Sequence, residues 1–357
     1  LELSASAVDW LDFALQPTAS VELQDVRVDA EAATLAFAAA SQELQLQATG
    51  KAEAEVASAA WELTADLQQN LVSPLLQQAL AADVPEYDID SGVVAVKLAV
   101  RGEGTEAYVG DAVVTLDGLN AHYDEVLATG LGGSMAVTFS EDDWAVAAER
   151  WTLAAVDVGF PIVDISGALR ADPEGVDLTD VRAATLGGTL LVEALSYDLE
   201  KSESQFVVQA TDVRLSQVLA LEGDTLTGEA TLDGELPIHL LGEEVSVASG
   251  KFQARPPGGA LRYAGATAAA ASLEQTGVGF AIAALADFQF DVLDVDVNYR
   301  ANGDLLLAIR LEGYNEDFEA GRPIHYNLNV TENIPVLLES LQLSDEVGRR
   351  LEQRLLD

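Results

Sequence analysis

The segment around Ser134 comes closest to a catalytic motif. The run Gly132-Gly133-Ser134-Met135-Ala136 differs by one residue from the G-x-S-x-G pattern, in which a strained turn between a strand and a helix exposes a nucleophilic serine. The residues from Ala136 to Phe139 continue as a strand, and no acid or histidine has an identifiable place beside the serine. The segment therefore predicts a hairpin turn and not the nucleophile of a hydrolase.

A second candidate is the acidic stretch from Asp83 to Gly92, which contains the carboxylates that calcium prefers. Counted from Asp88, the glycine falls at position five, and position twelve is Ala99, where a calcium loop has a bidentate glutamate. This spacing allows weak, incidental calcium binding at most.

The remaining reactive residue types are scarce. His122, His239 and His325 lie far apart without metal-motif spacing, so we expect each on a polar face or in a loop. The chain has no cysteine, which excludes thiol nucleophiles, thiolate metal sites and disulfides. The segment Gly102-Glu103-Gly104 lacks the third glycine of a dinucleotide-binding motif. We therefore predict no catalytic residue, no metal and no cofactor, and a protein that is not an enzyme.

Charge and hydropathy limit the partners of the chain. Its 357 residues include 49% apolar side chains, and 60 acidic residues against 18 basic ones give a formal net charge of −42. Such a surface repels a phosphate backbone, so nucleic acid is not a predicted partner. The most apolar stretch, Val278 to Ala286, is too short to span a bilayer. Because the sequence begins at Leu1 without a signal peptide, we expect a piece of a longer protein, in which any anchor would lie upstream.

A two-residue hydrophobic repeat dominates the chain and indicates strands with one apolar face. Between Val93 and Arg101, apolar side chains point one way while Lys97 and Arg101 point the other. A hairpin is predicted around Asn302-Gly303, which supplies the positive φ angles of a tight turn. The apolar residues that we predict to line a groove are Val94, Val96, Leu98, Val100, Leu293, Val295, Val297, Tyr299, Leu305, Leu307, Ile309, Leu311, Ile324, Tyr326 and Leu328.

Helical patterns are few and short. The candidates are residues 67–80, 213–221 and 278–288, a helix capped by Thr331, and a terminal amphipathic helix with Arg349, Arg350 and Arg354 beside its apolar face. These arginines suit the negative end of a helix. We expect the helices to lie at turns and at the C-terminal end of the sheet.

An antiparallel sheet with one apolar face must close, pair with a second sheet or hold something apolar. About 20 strands spaced about 4.8 Å apart would extend roughly 100 Å, too far for one closed core. The predicted fold is therefore mainly β: a long, curled, largely antiparallel sheet that forms an elongated apolar groove, with a few short helices.

Five segments carry a resemblance to a known family. Asp304–Asn315, Gly321–Val330 and Glu332–Leu341 resemble the C-terminal region of YdbH-type proteins, and Gly234–Ile238 and Arg255–Tyr263 are similar to the same family. These proteins belong to the AsmA-like group of bacterial bridge-like lipid-transfer proteins. The domain also carries an older label of dicarboxylate transport, which fits poorly, because a small dianion needs cationic ligands and the predicted face is apolar.

The resemblance implies a non-enzymatic phospholipid transporter of the Gram-negative envelope. It would cross the periplasm from an inner-membrane anchor towards the outer membrane, hold acyl chains in its groove and support outer-membrane lipid homeostasis. The C-terminal end would face the outer membrane and offer a strand edge, Ile324 to Val330 or a neighbour, to a small outer-membrane lipoprotein. We divide the chain into a β-groove segment, 1–159, a YdbH-like region, 160–343, and a terminal helix, 344–357.

The main alternative is a structural or adhesive extracytoplasmic β protein whose apolar sheet faces pack against one another. Its composition would be similar, and only an apolar volume that holds lipid separates the two. An outer-membrane barrel is less favoured, because 6% aromatic residues form poor interfacial girdles.

Overall fold

The computed structural model confirms that the chain is mainly β, with a large antiparallel sheet and a few short helices. It describes residues 2–5, 19–42, 44–71, 87–104, 107–123, 126–221, 223–242, 244–265 and 277–333. The chain divides into two compact units: unit 1 comprises Leu1–Val158 and Val163–Thr179, and unit 2 comprises Gly159–Ile162 and Asp180–Asp357. The division into segments 1–159, 160–343 and 344–357 stays a prediction.

Unit 1 is a meander in which strands that follow one another in sequence pair antiparallel. Its strands are β1 (Glu2–Ala5), β2 (Ala19–Val28), β3 (Ala32–Ser41), β4 (Leu46–Glu55), β5 (Ala60–Asn70), β6 (Tyr87–Glu103), β7 (Ala107–Tyr123), β8 (Val126–Ser140) and β9 (Trp144–Asp157). Strands β10 (Pro161–Ala171) and β11 (Gly175–Thr185) each contain one boundary between the units.

The alternation of side chains in β5 shows why these segments form half-buried strands. Trp61, Leu63, Ala65 and Leu67 are half-buried, whereas the residues between them are exposed. Since successive side chains of a strand point to opposite faces, a two-residue hydrophobic repeat gives one apolar and one polar face. The alternation that the two-residue repeat predicts is therefore confirmed in β5.

Unit 2 combines paired strands with short helices. Its strands are β12 (Gly188–Asp198), β13 (Glu203–Arg214), β14 (Leu226–Glu229), β15 (Thr231–Leu241), β16 (Glu244–Ala254), β17 (Gly259–Tyr263), β18 (Phe288–Tyr299), β19 (Asp304–Tyr314) and β20 (Ile324–Asn333). Its helices are α1 (Leu215–Ala220), α2 (Gly277–Ala284) and a 3₁₀ turn (Leu285–Asp287). Strands β12, β13, β15, β16, β18, β19 and β20 pair in that order, while β14 pairs with β17 and β17 with β18.

The strands of unit 2 are interrupted along one line across the sheet. Strand β13 stops at Arg214, Ala230 separates β14 from β15, and residues 255–258 separate β16 from β17. In β18, a register shift between Phe290 and Val292 falls on the same line. On one side of it the strands continue as open sheet, and on the other β14, β17, α1, α2 and the 3₁₀ turn form a cap.

The buried core of unit 2 lies under this cap. Phe288 and Leu311 are 0% and 1% exposed, and the ring of Phe288 meets that of Tyr326 edge-on, with centroids 5.3 Å apart. Asn315 is buried and its Nδ2 donates a hydrogen bond, 2.9 Å long, to the carbonyl oxygen of Ala284. This bond ties the segment after β19 to the end of α2.

A bulge and an ion-pair cluster on the polar face mark where the strands of unit 2 are interrupted. At Asp212, with φ of 60°, β13 holds one more residue than β15, a conformation that aspartate tolerates better than most residues. Arg255 pairs with Asp212 and, through Nη2, donates a hydrogen bond of 2.7 Å to Oδ1 of Asp233. The Arg255 guanidinium holds the pKa of Asp233 below its ordinary value. One arginine thus links β13, β15 and the end of β16.

The helix predictions had mixed outcomes. Residues 213–221 and 278–288 contain α1, and α2 with the 3₁₀ turn, as predicted. The prediction for 67–80 was wrong over 67–70, which end β5, and its residues 72–80 lie outside the described ranges. Thr331 was wrong as a helix cap, because β20 runs on to Asn333. The terminal helix, 344–357, also lies outside the described residues.

The hairpin between β18 and β19 forms, but its turn differs from the prediction. The amide of Gly303 donates to the carbonyl of Arg300 and the amide of Arg300 to the carbonyl of Asp304. Only Gly303, with φ of 88°, takes a positive φ there, and Asn302 does not. The side chain of Asn302 instead donates to the Asp304 carboxylate.

Leu311→Ala should destabilise unit 2 by about 2–5 kcal/mol, since it leaves a cavity in the core beneath the cap. All four tryptophans lie in the sequence of unit 1. The denaturation midpoint measured by tryptophan fluorescence should therefore stay near that of wild type, whereas the midpoint measured by the circular dichroism of the strands should shift to a lower denaturant concentration. Leu306→Ala, a half-buried change on the other face of β19, is the control. Equal loss in both variants would contradict the assigned core.

Asp233→Asn should lower the thermal midpoint at pH 7 and converge on wild type as the pH falls. Because the folded pKa of Asp233 is depressed, its contribution is present above the unfolded pKa of about 4 and disappears as the pH falls through the folded value. Thermal melts between pH 3 and 7 measure the difference. The exposed Asp224→Asn is the control, and a difference that is independent of pH would refute the pair's contribution.

Candidate functional site

The register of unit 2 places all the groove residues predicted in β18, β19 and β20 on one face, because directly opposed residues of antiparallel strands share a face. Three rows cross these strands. They are Leu293, Leu311 and Tyr326; Val295, Ile309 and Leu328; and Val297, Leu307 and Val330. Tyr299 and Leu305 form a fourth pair, and Ile324 lies opposite Gly313.

The register of unit 1 extends the predicted residues of β6 into rows across the sheet. Val94, Val96, Leu98 and Val100 share one face of β6 and are half-buried. The row through Leu98 crosses eight strands without a charged residue. It consists of Leu23, Phe37, Gly50, Ala65, Leu98, Ala112, Val137 and Val146. We call the surface formed by this row and its neighbours through Val96 and Val100 the apolar face of unit 1.

Little covers the apolar face of unit 1 within the described part of the chain. Among its described strands, extensive contacts occur between strands that are neighbours in the sheet. The side chains of the face are mostly half-buried by one another, whereas those of the opposite face are mostly exposed. A face of this kind presents apolar surface to whatever lies on it.

The apolar face of unit 2 is packed most tightly at one end. Leu293, Leu311 and Tyr326 belong to the core under the cap, and burial raises the pKa of Tyr326 to about 12. Beyond the line of interruption, Val295 and Leu307 are half-buried and Leu328 in β20 is 40% exposed, whereas Val297 is only 9% exposed. The predicted residues therefore share a face but divide between a packed core and open sheet.

Sequence reasoning missed Phe288 and Phe290, which are among the largest fully buried side chains. Both lie on the same face as Leu293, although the spacing from Phe290 to Leu293 is odd. The bulge at Asp291 restores the alternation, since an extra residue returns the following side chains to the original face. The change of phase from Phe288-Gln289-Phe290 to Leu293-Asp294-Val295 was the available signal.

The opposite face carries the charges and the histidines. Nε2 of His239 lies 2.9 Å from Oε1 of Glu203, and Nδ1 of His122 lies 3.3 Å from Oδ2 of Asp90. His325 meets Glu312 at 3.4 Å. The hydrogen bond with His239 lowers the pKa of Glu203. Each histidine thus makes a structural contact with one carboxylate.

The other motifs singled out in the sequence also lie within strands. Ser134 is in the middle of β8, opposite Thr115, so the predicted hairpin turn was wrong there. Residues 87–92 of the acidic stretch begin β6, and 83–86 lie outside the described ranges. Across the ranges that the structure describes, no three His, Asp or Glu side chains are grouped as metal ligands.

The arrangement offers apolar surface and no assembled set of reactive groups. Its described apolar rows can shield hydrocarbon from water, while the charged face stays solvated. Among the described helices, none has both the length and the apolarity that a membrane-spanning segment needs.

Comparison with known proteins assigns the chain to a family. The family described as YdbH-like, intermembrane phospholipid transport protein YdbH, matches residues 69–356. No curated protein and no solved structure matches the chain. The matched family is one of lipid transport proteins and not of enzymes. Since the match covers most of the sequence, the chain belongs to the YdbH-like family of intermembrane phospholipid transport proteins.

Proposed function

We propose that this chain carries phospholipid along its apolar faces, with the acyl chains against the sheet and the headgroups in solvent. The observation that carries the proposal is the apolar face of unit 1, whose row through Leu98 crosses eight strands without a charge. The less covered part of the unit 2 face, with Leu307, Leu328 and Val330, would serve in the same way.

Burial of hydrocarbon supplies enough free energy for such binding. A methylene group that leaves water gains about 0.8 kcal/mol, so even partial shielding of an acyl chain over several methylenes gives several kcal/mol. Rows of alanine, valine and leucine bind without directional bonds, so a chain can slide from one strand to the next. This role needs neither a catalytic group nor a cofactor.

The setting of this transport follows from the family. We place the chain in the periplasm of a Gram-negative envelope, held to the inner membrane by an N-terminal anchor and reaching towards the outer membrane, where it supports lipid homeostasis. In the part of the chain that the structure describes, β20 pairs along one edge, with β19. Its other edge, Ile324 to Val330, would add a strand of a small outer-membrane lipoprotein.

The purified chain should contain phospholipid, and Leu98→Lys should reduce it several-fold, because a lysine on the apolar face places a charge against the acyl chains. Lipid extraction followed by mass spectrometry measures lipid per protein. Val113→Lys is the matched control, since Val113 is an exposed aliphatic residue on the opposite face of the neighbouring strand. If neither wild type nor control contains lipid, the chain is a structural β protein.

A photocrosslinker at Asn329 of β20 should capture a small outer-membrane lipoprotein in cells. Asn329 is exposed on the last described strand, and its direct neighbour Ala308 in β19 is exposed on the same face. Because strand addition brings the partner beside β20, a crosslinker at Ala308 should capture it weakly. Equal capture at the two positions would argue against addition at this edge.

A further inference from the structure

Aromatic side chains on the apolar face of unit 1 lie over glycines of the neighbouring strand. Phe37 is directly opposite Gly50, and a Cβ atom on Gly50 would lie 2.5 Å from Cζ of the ring. Trp61 is opposite Gly102, where the corresponding distance to Cζ2 is 2.6 Å. Because Cβ atoms do not approach ring atoms so closely, each ring occupies space that a side chain would otherwise fill.

Two further pairs repeat the arrangement, one in each unit. Phe139 is opposite Gly110, and Phe252 in unit 2 is opposite Gly234. A Cβ atom would lie 2.6 Å from Cε2 of Phe139 and 2.6 Å from Cγ of Phe252. The four rings therefore lie along the sheet, over the backbone of the next strand.

A hydrogen bond fixes one of these rings. Nε1 of Trp61 donates to the carbonyl oxygen of Gly104 over 2.9 Å, which holds the indole across Gly102. Packing a ring on glycine stabilises a strand that would otherwise lack cross-strand contacts. It also lowers the ring, because an opposed residue with a side chain would push the ring away from the sheet.

The neighbours of Phe37 are mostly small. In the row of Phe37 and Gly50, the next residues are Ala65, Leu98 and Ala112. A ring that stood upright would be the tallest group on such a surface, whereas a ring laid over glycine stays level with leucine and valine. The glycine determines the height of the surface through the ring opposite to it.

We infer that Gly50, Gly102, Gly110 and Gly234 are positioning residues that keep the apolar faces level for the acyl chains of a glycerophospholipid. This inference rests on the proposed function. The glycines make no lipid contact themselves but hold the rings out of the path. At Gly110 a larger residue would raise the ring of Phe139 into that path and act as a barrier. At Gly50, Gly102 and Gly234 the added Cβ would meet a backbone carbonyl oxygen as well as the ring.

Gly110 offers the sharpest test, because the three atoms nearest to its missing Cβ all belong to the ring of Phe139. Its φ lies outside the left-handed region, so alanine fits the backbone. Gly110→Ala in the full chain should weaken binding of a fluorescent phosphatidylethanolamine roughly four- to fifteenfold, the equivalent of one or two lost methylene contacts.

The matched control is Gly132→Ala in the neighbouring strand β8. There a Cβ atom would lie 3.5 Å from the carbonyl oxygen of Leu116 and 3.6 Å from Oγ1 of Thr152, which is ordinary contact. Its lipid affinity should equal that of wild type. Phe139→Ala alone removes the ring and gives the reference affinity of a face without it. Comparison of this variant with the double variant Gly110→Ala and Phe139→Ala tests the inference even if Gly110→Ala fails to fold.

The double variant Gly110→Ala with Phe139→Ala separates a raised ring from a merely weakened sheet. With no ring to raise, its lipid affinity should rise above that of Gly110→Ala and equal that of Phe139→Ala, although its thermal midpoint stays low. The inference is overturned if Gly110→Ala binds like wild type, or if the double variant binds no better than Gly110→Ala. Failure of the unmodified chain to bind the lipid would overturn the proposed function and, with it, the inference.

Discussion

Alternation of side chains along an antiparallel strand is the constraint on which this structure depends. Directly opposed residues share a face. When strands with an apolar two-residue repeat pair in register, their apolar side chains therefore form one continuous face. In unit 1 the row through Leu98 extends in this way over eight strands. A slip of one residue in any strand would bring charged side chains such as Lys97 into the row. The apolar face therefore exists only as long as the whole register does.

Where the register changes, bulges keep the apolar side chains on one face of the sheet and the polar side chains on the other. At Asp212 and Asp291 an extra residue absorbs the change, and the side chains after it return to the apolar face. Arg255 anchors the first bulge from the polar side through Asp212 and Asp233. The same line marks where open sheet gives way to the cap, so the ionic contacts outside and the aromatic core inside stabilise one boundary.

A lipid transporter built on this principle needs no focused site. Its working surface is the sum of many small aliphatic contacts, each weak and none directional, and its selectivity for hydrocarbon follows from the absence of charge on one face. The histidines and their carboxylate partners lie on the charged face. Reactive residue types are therefore present, but they are paired with one another and not grouped as a catalytic site. Variants that change height or charge on the apolar face should therefore matter more than changes to any polar residue.

The sequence alone determined the strands, their apolar faces and the family, because a two-residue repeat and a string of family residues are local properties. It placed Val94 to Val100 on one face of β6 and the apolar residues of β18 to β20 on another. It did not reveal Phe288 and Phe290 as core residues, since the bulge at Asp291 hides their phase. It also assigned Thr331 to a helix, whereas pairing with β19 keeps that residue in a strand. Only the tertiary structure decided which apolar residues are packed and which stay open: Leu311 is covered and Leu307 is not fully so, because the cap that covers Leu311 comes from segments distant in sequence.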